Sequence, residues 1–156
     1  MNKEIIATPN APQAIGPYSQ AVRVGSFVHS AGQIAIDPAT GQLVPGDVSA
    51  QAEQVMKNLT AVLAAAGTGL DNVVKTTIFL RFIKDFGAVN EVYGKFFGEG
   101  KPARSTVAVS ALPLKALVEI EVVALVSTSE EAKLQDETKK TKKEKKKKAK
   151  GKGKKI

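Results

Sequence analysis

Lys101-Pro102-Ala103-Arg104-Ser105-Thr106, followed after a break by Leu117-Val118-Glu119-Ile120-Glu121-Val122-Val123-Ala124-Leu125-Val126, is the stretch whose reading decides the fold. Pro102 fixes its own φ, and Thr106 to Val109 is a β-branched run that reads as a strand, so Arg104 stands at a strand entrance. The second stretch reads as an apolar strand interrupted only by two carboxylates. On a strand Glu119 and Glu121 share a face, about 7 Å apart, with Val123 and Leu125, while Val118, Ile120 and Val122 take the other. A carboxylate in so apolar a strand needs a partner. The turn at Leu112, Pro113 and Leu114 suggests that the two strands pair, which makes Arg104 the nearest candidate. Two readings stay open on these residues: a structural ion pair, or a site that holds a small acid and moves a proton.

Composition narrows the chemistry. The 156 residues suit one domain, and 43% hydrophobic content is enough to close a core. There is no cysteine and a single histidine, His29, which excludes a disulfide framework, a thiolate site and a zinc site of the usual His and Cys type. No apolar run approaches the roughly 20 residues of a membrane helix, and the first residues lack the apolar core of a signal peptide. A soluble cytoplasmic protein is expected. The formal charge of +8 is unevenly placed: residues 128–156 hold 13 Lys and 5 acidic residues, and residues 1–127 hold 10 basic and 10 acidic ones. A folded domain over 1–127 and a disordered lysine-rich tail over 128–156 follow from that division.

Within the domain, Ile5 and Ile6 suggest a short edge strand before the proline-containing segment of Pro9, Pro12 and Pro17. Ala21–Val28 predicts a hairpin turning at Gly25 and Ser26, its second strand running on through His29 and Gly32 to Ile36. Gly32 inside that strand marks a bulge or a close approach to the backbone. Val48 to Ala66 has helical periodicity, with Asp47 as N-cap, Gly67 as stop, and Gln51, Gln54, Lys57 and Asn58 as its polar face. Val73 to Phe82 predicts a strand, and Lys84 to Phe97 a second helix whose stripe is Phe86, Val89, Tyr93, Phe96 and Phe97, with Asn90 beside it. The result is an α+β domain with two helices on one face of a sheet. The strands are apolar on both faces, so the open face also needs cover, and a further copy in a closed ring supplies it.

The tail admits three uses: solubilising the protein, a nuclear-localisation-like signal, or electrostatic binding to nucleic acid or another anionic surface. No aromatic or Arg interrupts its lysines, so any nucleic-acid binding is sequence-blind and salt-sensitive.

Several short motifs occur together and in order: PQAIGPYSQA (residues 12–21), GQI (32–34), PATG (38–41), VVKTT (73–77), DFGAVNEVY (85–93), PARS (102–105), LP (112–113) and EIE (119–121). In these the chain resembles the RidA type of the Rid (YjgF) family across nearly all of residues 1–127. The resemblance implies a chorismate-mutase-like fold and a homotrimer with its sheets facing inward and three clefts between subunits. It implies hydrolytic deamination of reactive enamine and imine intermediates, such as 2-aminoacrylate and 2-iminobutanoate, to 2-keto acids and ammonia, with no cofactor and no metal. By position, Arg104 takes the family's carboxylate-binding role and Glu119 its water-activating role. Tyr18, the Gly32 and Gln33 backbone, Phe86 and Asn90 complete the cleft.

The residue chemistry is consistent with that assignment. Arg can hold an imino-acid carboxylate through two parallel hydrogen bonds, which Lys cannot. A glutamate can orient the attacking water and return the proton to the departing nitrogen. Spacing alone does not choose between Glu119 and Glu121. Three positions depart from the family: Ala31 where many relatives have serine, Phe82 where they often have an acid, and Thr106 where some have cysteine. The alternative function is an RNA- or client-binding protein that acts through its basic tail, with a vestigial cleft; the tail also admits a nuclear location.

Overall fold

In the strand Val73–Leu80, Thr76, Ile78 and Leu80 are buried and alternate with Lys75, Thr77 and Phe79, which are less so. That alternation places one face of the sheet against the core. The computed structural model describes residues 2–126. Its strands are β1 (Lys3–Ile6), β2 (Ala21–Val24), β3 (Phe27–Ser30), β4 (Ile36–Asp37), β5 (Gln42–Leu43), β6 (Val73–Leu80), β7 (Ala103–Ala108) and β8 (Val118–Leu125). Its helices are α1 (Val48–Ala65) and α2 (Phe86–Gly94). The two predicted helices and the hairpin at Gly25 and Ser26 are present, in an α+β arrangement. The expected tail, 128–156, lies outside the described residues.

Six strands form one sheet in the order β1-β2-β3-β8-β6-β7, and β4 and β5 form a separate small hairpin. β8 runs antiparallel to both β3 and β6, while β7 runs parallel to β6. A parallel neighbour requires a crossover, and α2 supplies it between β6 and β7. This arrangement corrects the expectation that the Arg104 and Glu119 strands pair. The crossover returns β7 to the outer edge of β6, which leaves β8 to enter between β3 and β6. There both edges of β8 are hydrogen-bonded, and Val118, Ile120, Val122 and Ala124 are buried in the core that includes α1.

α1 begins where Asp47 accepts a hydrogen bond from the Ala50 N–H at 3.0 Å. It ends in two reverse bonds, Gly67 N–H to Ala64 O and Thr68 N–H to Leu63 O, with Gly67 at φ +78°. That is the closure a glycine just past a helix end allows. The helix buries Val55, Met56, Leu59, Val62 and Leu63, but its predicted polar face needs correction, because Gln51 and Asn58 are buried as well. Gln51 Oε1 accepts from the Leu117 N–H at 2.8 Å, and Asn58 Nδ2 donates to the carbonyls of Ile34 and Ile36 at 3.2 and 2.9 Å. Both amides satisfy backbone groups at strand ends or outside the strands.

Two further boundaries differ from the sequence reading. The strand predicted to reach Ile36 stops at Ser30, and only Gln33 bridges onward, to Ile120. The second helix starts at Phe86, after a 3-10 turn over Ile83–Asp85, and Phe86 stays exposed while Val89, Tyr93 and Phe97 are buried.

The face opposite the helices carries Ile5, Phe27, Val107 and Leu125, which are 53%, 43%, 45% and 41% exposed. Before β8, Leu114 and Lys115 lie at φ 53° and 59°. Each L-residue in that region costs roughly 1–2 kcal/mol, and glycine's extra freedom in the unfolded chain takes back about 0.5–1 kcal/mol. Lys115→Gly is therefore expected to melt a few degrees above the parent, by thermal denaturation followed by circular dichroism; a lower Tm contradicts the strain assigned to this turn.

Candidate functional site

Glu119 enters the sheet on the face away from the helices, three residues from buried Val122. Its side chain crosses to the strand end beyond Ser30, where Gly32 lies. A Cβ at position 32 would overlap the Glu119 carboxyl, so a side chain there would displace the carboxyl from its present place; the φ of Gly32 is unexceptional. The close approach inferred from the sequence is therefore that of a carboxylate from the same chain.

Around it lies a cavity of about 300 Å³ lined by Pro12, Gln13, Ile15, Tyr18, Ala31, Gly32, Gln33, Ile34, Ile36, Pro113 and Glu119. Most of these are apolar, and Glu119 brings the one carboxylate. Burial pushes its protonation above the usual carboxylate value, and the neighbouring Glu121 charge adds to the effect. No cation pairs with it: the one ion pair among the described residues is Lys57–Glu53, on the surface of α1. The Tyr18 ring is half exposed, and its hydroxyl accepts from the Ile15 N–H at 3.4 Å. The Gln33 backbone is committed in both directions, N–H to Ile120 O at 2.8 Å and C=O from Ile120 N–H at 3.1 Å. The Gly32 N–H has no partner among the described residues, and neither do those of Ile34 and Ala35.

Arg104 stands elsewhere. It is level with Thr76 on β6 and, through it, with Val122 on β8, so it shares the helix-covered face. Its guanidinium lies 5.0 Å from the Tyr93 ring centre and 5.6 Å from that of Phe86. Asn90 occupies the same stripe of α2, one turn from each ring. The Tyr93 hydroxyl donates to Thr76 Oγ1 at 3.0 Å, and the ring packs on Phe97 at 4.6 Å, which holds the platform under Arg104. Burial raises the Tyr93 pKa, and the bond to Thr76 and the Arg104 charge oppose that rise. Two positions along β7 on the same face, the Thr106 hydroxyl is buried without a partner among the described residues.

The expected Arg104–Glu119 pair is therefore absent from the single chain. The two residues are separated by β6, offset by three positions, and point to opposite faces, roughly 14 Å apart at the backbone. The structure gathers Tyr18, Gly32, Gln33 and Glu119 around one cavity, and Arg104 with Phe86 and Asn90 along another face. Sequence reasoning missed the buried amides that hold the cavity walls, Gln20, Gln51 and Asn58. Gln51 and Asn58 read locally as part of the polar face of α1, and Gln20 stands just before β2, so none of the three carried a local signal.

Residues 8–126 match the family model described as endoribonuclease L-PSP. A RutC family protein of Pyrococcus horikoshii is 53% identical over 122 residues, 78% of this chain and 97% of that protein. The mouse protein named 2-iminobutanoate/2-iminopropanoate deaminase is 50% identical over 123 residues, 79% of this chain and 91% of its own. Among solved structures, E. coli TdcF with bound serine superposes at a TM-score of 0.76 with 43% identity, covering 80% of this chain and 99% of that one.

The Glu119 environment makes a stability prediction. A carboxyl whose folded pKa is raised above the ordinary 4.5 leaves its stabilising contribution intact below that pH and loses it as pH rises through the folded value. Glu119→Gln should thus match the parent near pH 4 and exceed it at pH 7, by urea unfolding at both. A gap that is constant with pH, or that reverses, contradicts the raised pKa.

Proposed function

The chain belongs to the endoribonuclease L-PSP family, also called Rid or YjgF, and on that premise we propose that it hydrolyses 2-imino and 2-enamino acids to 2-keto acids and ammonia. The observation that carries this reading is the Glu119 carboxyl, held in a mostly apolar cavity, with no cation paired to it among the described residues and with its pKa raised by burial. Names of relatives support it: proteins about half identical over nearly their whole length are named imine deaminases.

The reaction asks for three things. The substrate carboxylate needs a planar cation, which Arg104 supplies with two parallel hydrogen bonds, its guanidinium oriented over Phe86 and Tyr93. Water must add to the C=N carbon; Glu119 takes a proton from it, giving a carbinolamine. Glu119 then returns that proton to nitrogen, the C–N bond breaks as the hydroxyl electrons form C=O, and the hydroxyl proton leaves with ammonia as ammonium. Overall, iminium plus water gives ketone plus ammonium, with no redox step. Imines hydrolyse unaided, so positioning plus one proton shuttle is enough.

Because Arg104 and Glu119 face opposite ways, a working site takes them from two copies of the chain. The exposed apolar residues Ile5, Phe27, Val107 and Leu125 give the open face something to bury in such an assembly, which we propose to be the trimer the family resemblance implies. Each cleft then joins Glu119, Tyr18 and the Gly32 N–H of one copy to Arg104, Phe86 and Asn90 of the next. The Thr106 hydroxyl, two residues from Arg104, is a further donor at that edge.

The test generates 2-iminobutanoate in situ with a threonine dehydratase and follows keto-acid and ammonia release. The parent and a chain ending at Ser127 should accelerate release. Arg104→Ala and Glu119→Gln should lose about 10²-fold or more of that acceleration while remaining assembled. Equal rates with and without the parent protein would retire the enzyme reading.

A further inference from the structure

Gln20 is buried, 3% exposed, and has no place in the chemistry described above. Its side chain reaches the Thr8–Pro12 segment, a piece of backbone with no strand partner. Its Oε1 accepts from the Thr8 N–H at 2.6 Å. Its Nε2 is placed to donate to three carbonyls: Thr8 at 3.0 Å, Ala11 at 3.2 Å and Pro12 at 2.7 Å. Two amide hydrogens shared over three acceptors make a tight clamp, and the backbone between Thr8 and Pro12 is held by this one residue's side chain, with help from Gln13 Nε2 on Thr8 O at 2.9 Å. The same residue also holds the opposite wall, because its backbone carbonyl accepts from the Ala31 N–H at 2.9 Å.

Those two attachments bracket the cavity. Pro12 and Gln13 line one side of it, Ala31 and Gly32 the other, with the Glu119 carboxyl against Gly32. The clamp's side-chain half therefore sets how far the Pro12–Gln13 wall stands from Glu119. We propose that Gln20 is a positioning residue for substrate: through its amide it fixes the width of the cavity beside Glu119 and so governs how tightly an imino acid's side chain is held there. The inference rests on the imine-hydrolase reading.

Only a glutamine meets the requirement. Glutamate would put a carboxylate among three carbonyl oxygens, and methionine would match the length and offer neither donor nor acceptor. Pro12 is only partly buried, so the end of the segment that lines the cavity can turn to water and open the wall, whereas Thr8 and Ala11 are buried and lose a partner for their carbonyls, which lowers the melting temperature while the sheet, α1 and α2 keep their packing.

Gln20→Met and Gln20→Glu test this, with assembly and melting temperature recorded for each. The expected result is a KM for 2-iminobutanoate raised about tenfold at a kcat within about twofold of the parent, since ground-state and transition-state holding are lost alike. A merely structural role predicts the opposite split: the active fraction falls with the folded fraction, Vmax drops, and KM is unchanged. That outcome overturns the proposal. If the parent shows no imine hydrolysis, the function reading has failed on its own, and titration with 2-oxobutanoate, followed by the Gly32 and Tyr18 amide resonances, decides the positioning role. A roughly tenfold weaker affinity in Gln20→Met supports it; equal affinity, or no saturable binding to the parent, overturns it.

Discussion

The Glu119 carboxyl occupies the space that a side chain at position 32 would fill, and most of the local architecture follows from making room for it. A buried carboxylate without a cation is costly unless its surroundings compensate or it takes up a proton. Here burial, and then the Glu121 charge, both push the Glu119 pKa above the ordinary carboxylate value. The ladder ends beyond Ser30: Gly32 and its neighbours form an irregular segment that touches β8 only where Gln33 and Ile120 exchange two hydrogen bonds.

Irregular backbone at the edge of a core needs partners from somewhere, and three buried amides supply them. Gln20 serves the Thr8–Pro12 segment, Asn58 reaches from α1 to the Ile34 and Ile36 carbonyls, and Gln51 takes the Leu117 N–H where β8 begins. Each holds a segment that contributes to the cavity wall or adjoins one that does. The cavity is thus framed by side chains anchored in rigid elements, although its lining comes mostly from loops. Loops held in this way keep a defined shape without belonging to a sheet or helix.

Much of this was legible in the sequence, and the failures have specific causes. The helix over Val48–Ala65 could be read from its period, its Asp47 cap and its Gly67 stop, because these are local signals. The two faces of β8 followed from alternation, which placed Glu119 and Glu121 together and away from Val118, Ile120 and Val122. Gly32 carried its meaning in being glycine. The pairing of β7 with β8 was misread because adjacency in the chain stood in for adjacency in the sheet, and nothing local reveals that a strand will insert between two others. Gln51 and Asn58 were placed on the solvent face because periodicity sees polarity, whereas their partners are backbone groups more than 20 residues away.

The separation of Arg104 from Glu119 within the chain makes the proposed function depend on shared sites, and one measurement addresses that directly. Arg104→Ala and Glu119→Gln chains, each inactive alone, are co-expressed or unfolded together and reassembled. If each cleft takes its arginine from one copy and its glutamate from the next, random mixing restores about a quarter of the parent's imine hydrolysis, since that fraction of clefts combines two intact residues. Activity that stays at the level of the separate mutants, in assemblies proven by mass to be mixed, contradicts the shared site and with it the reading of Arg104 and Glu119 as one catalytic pair.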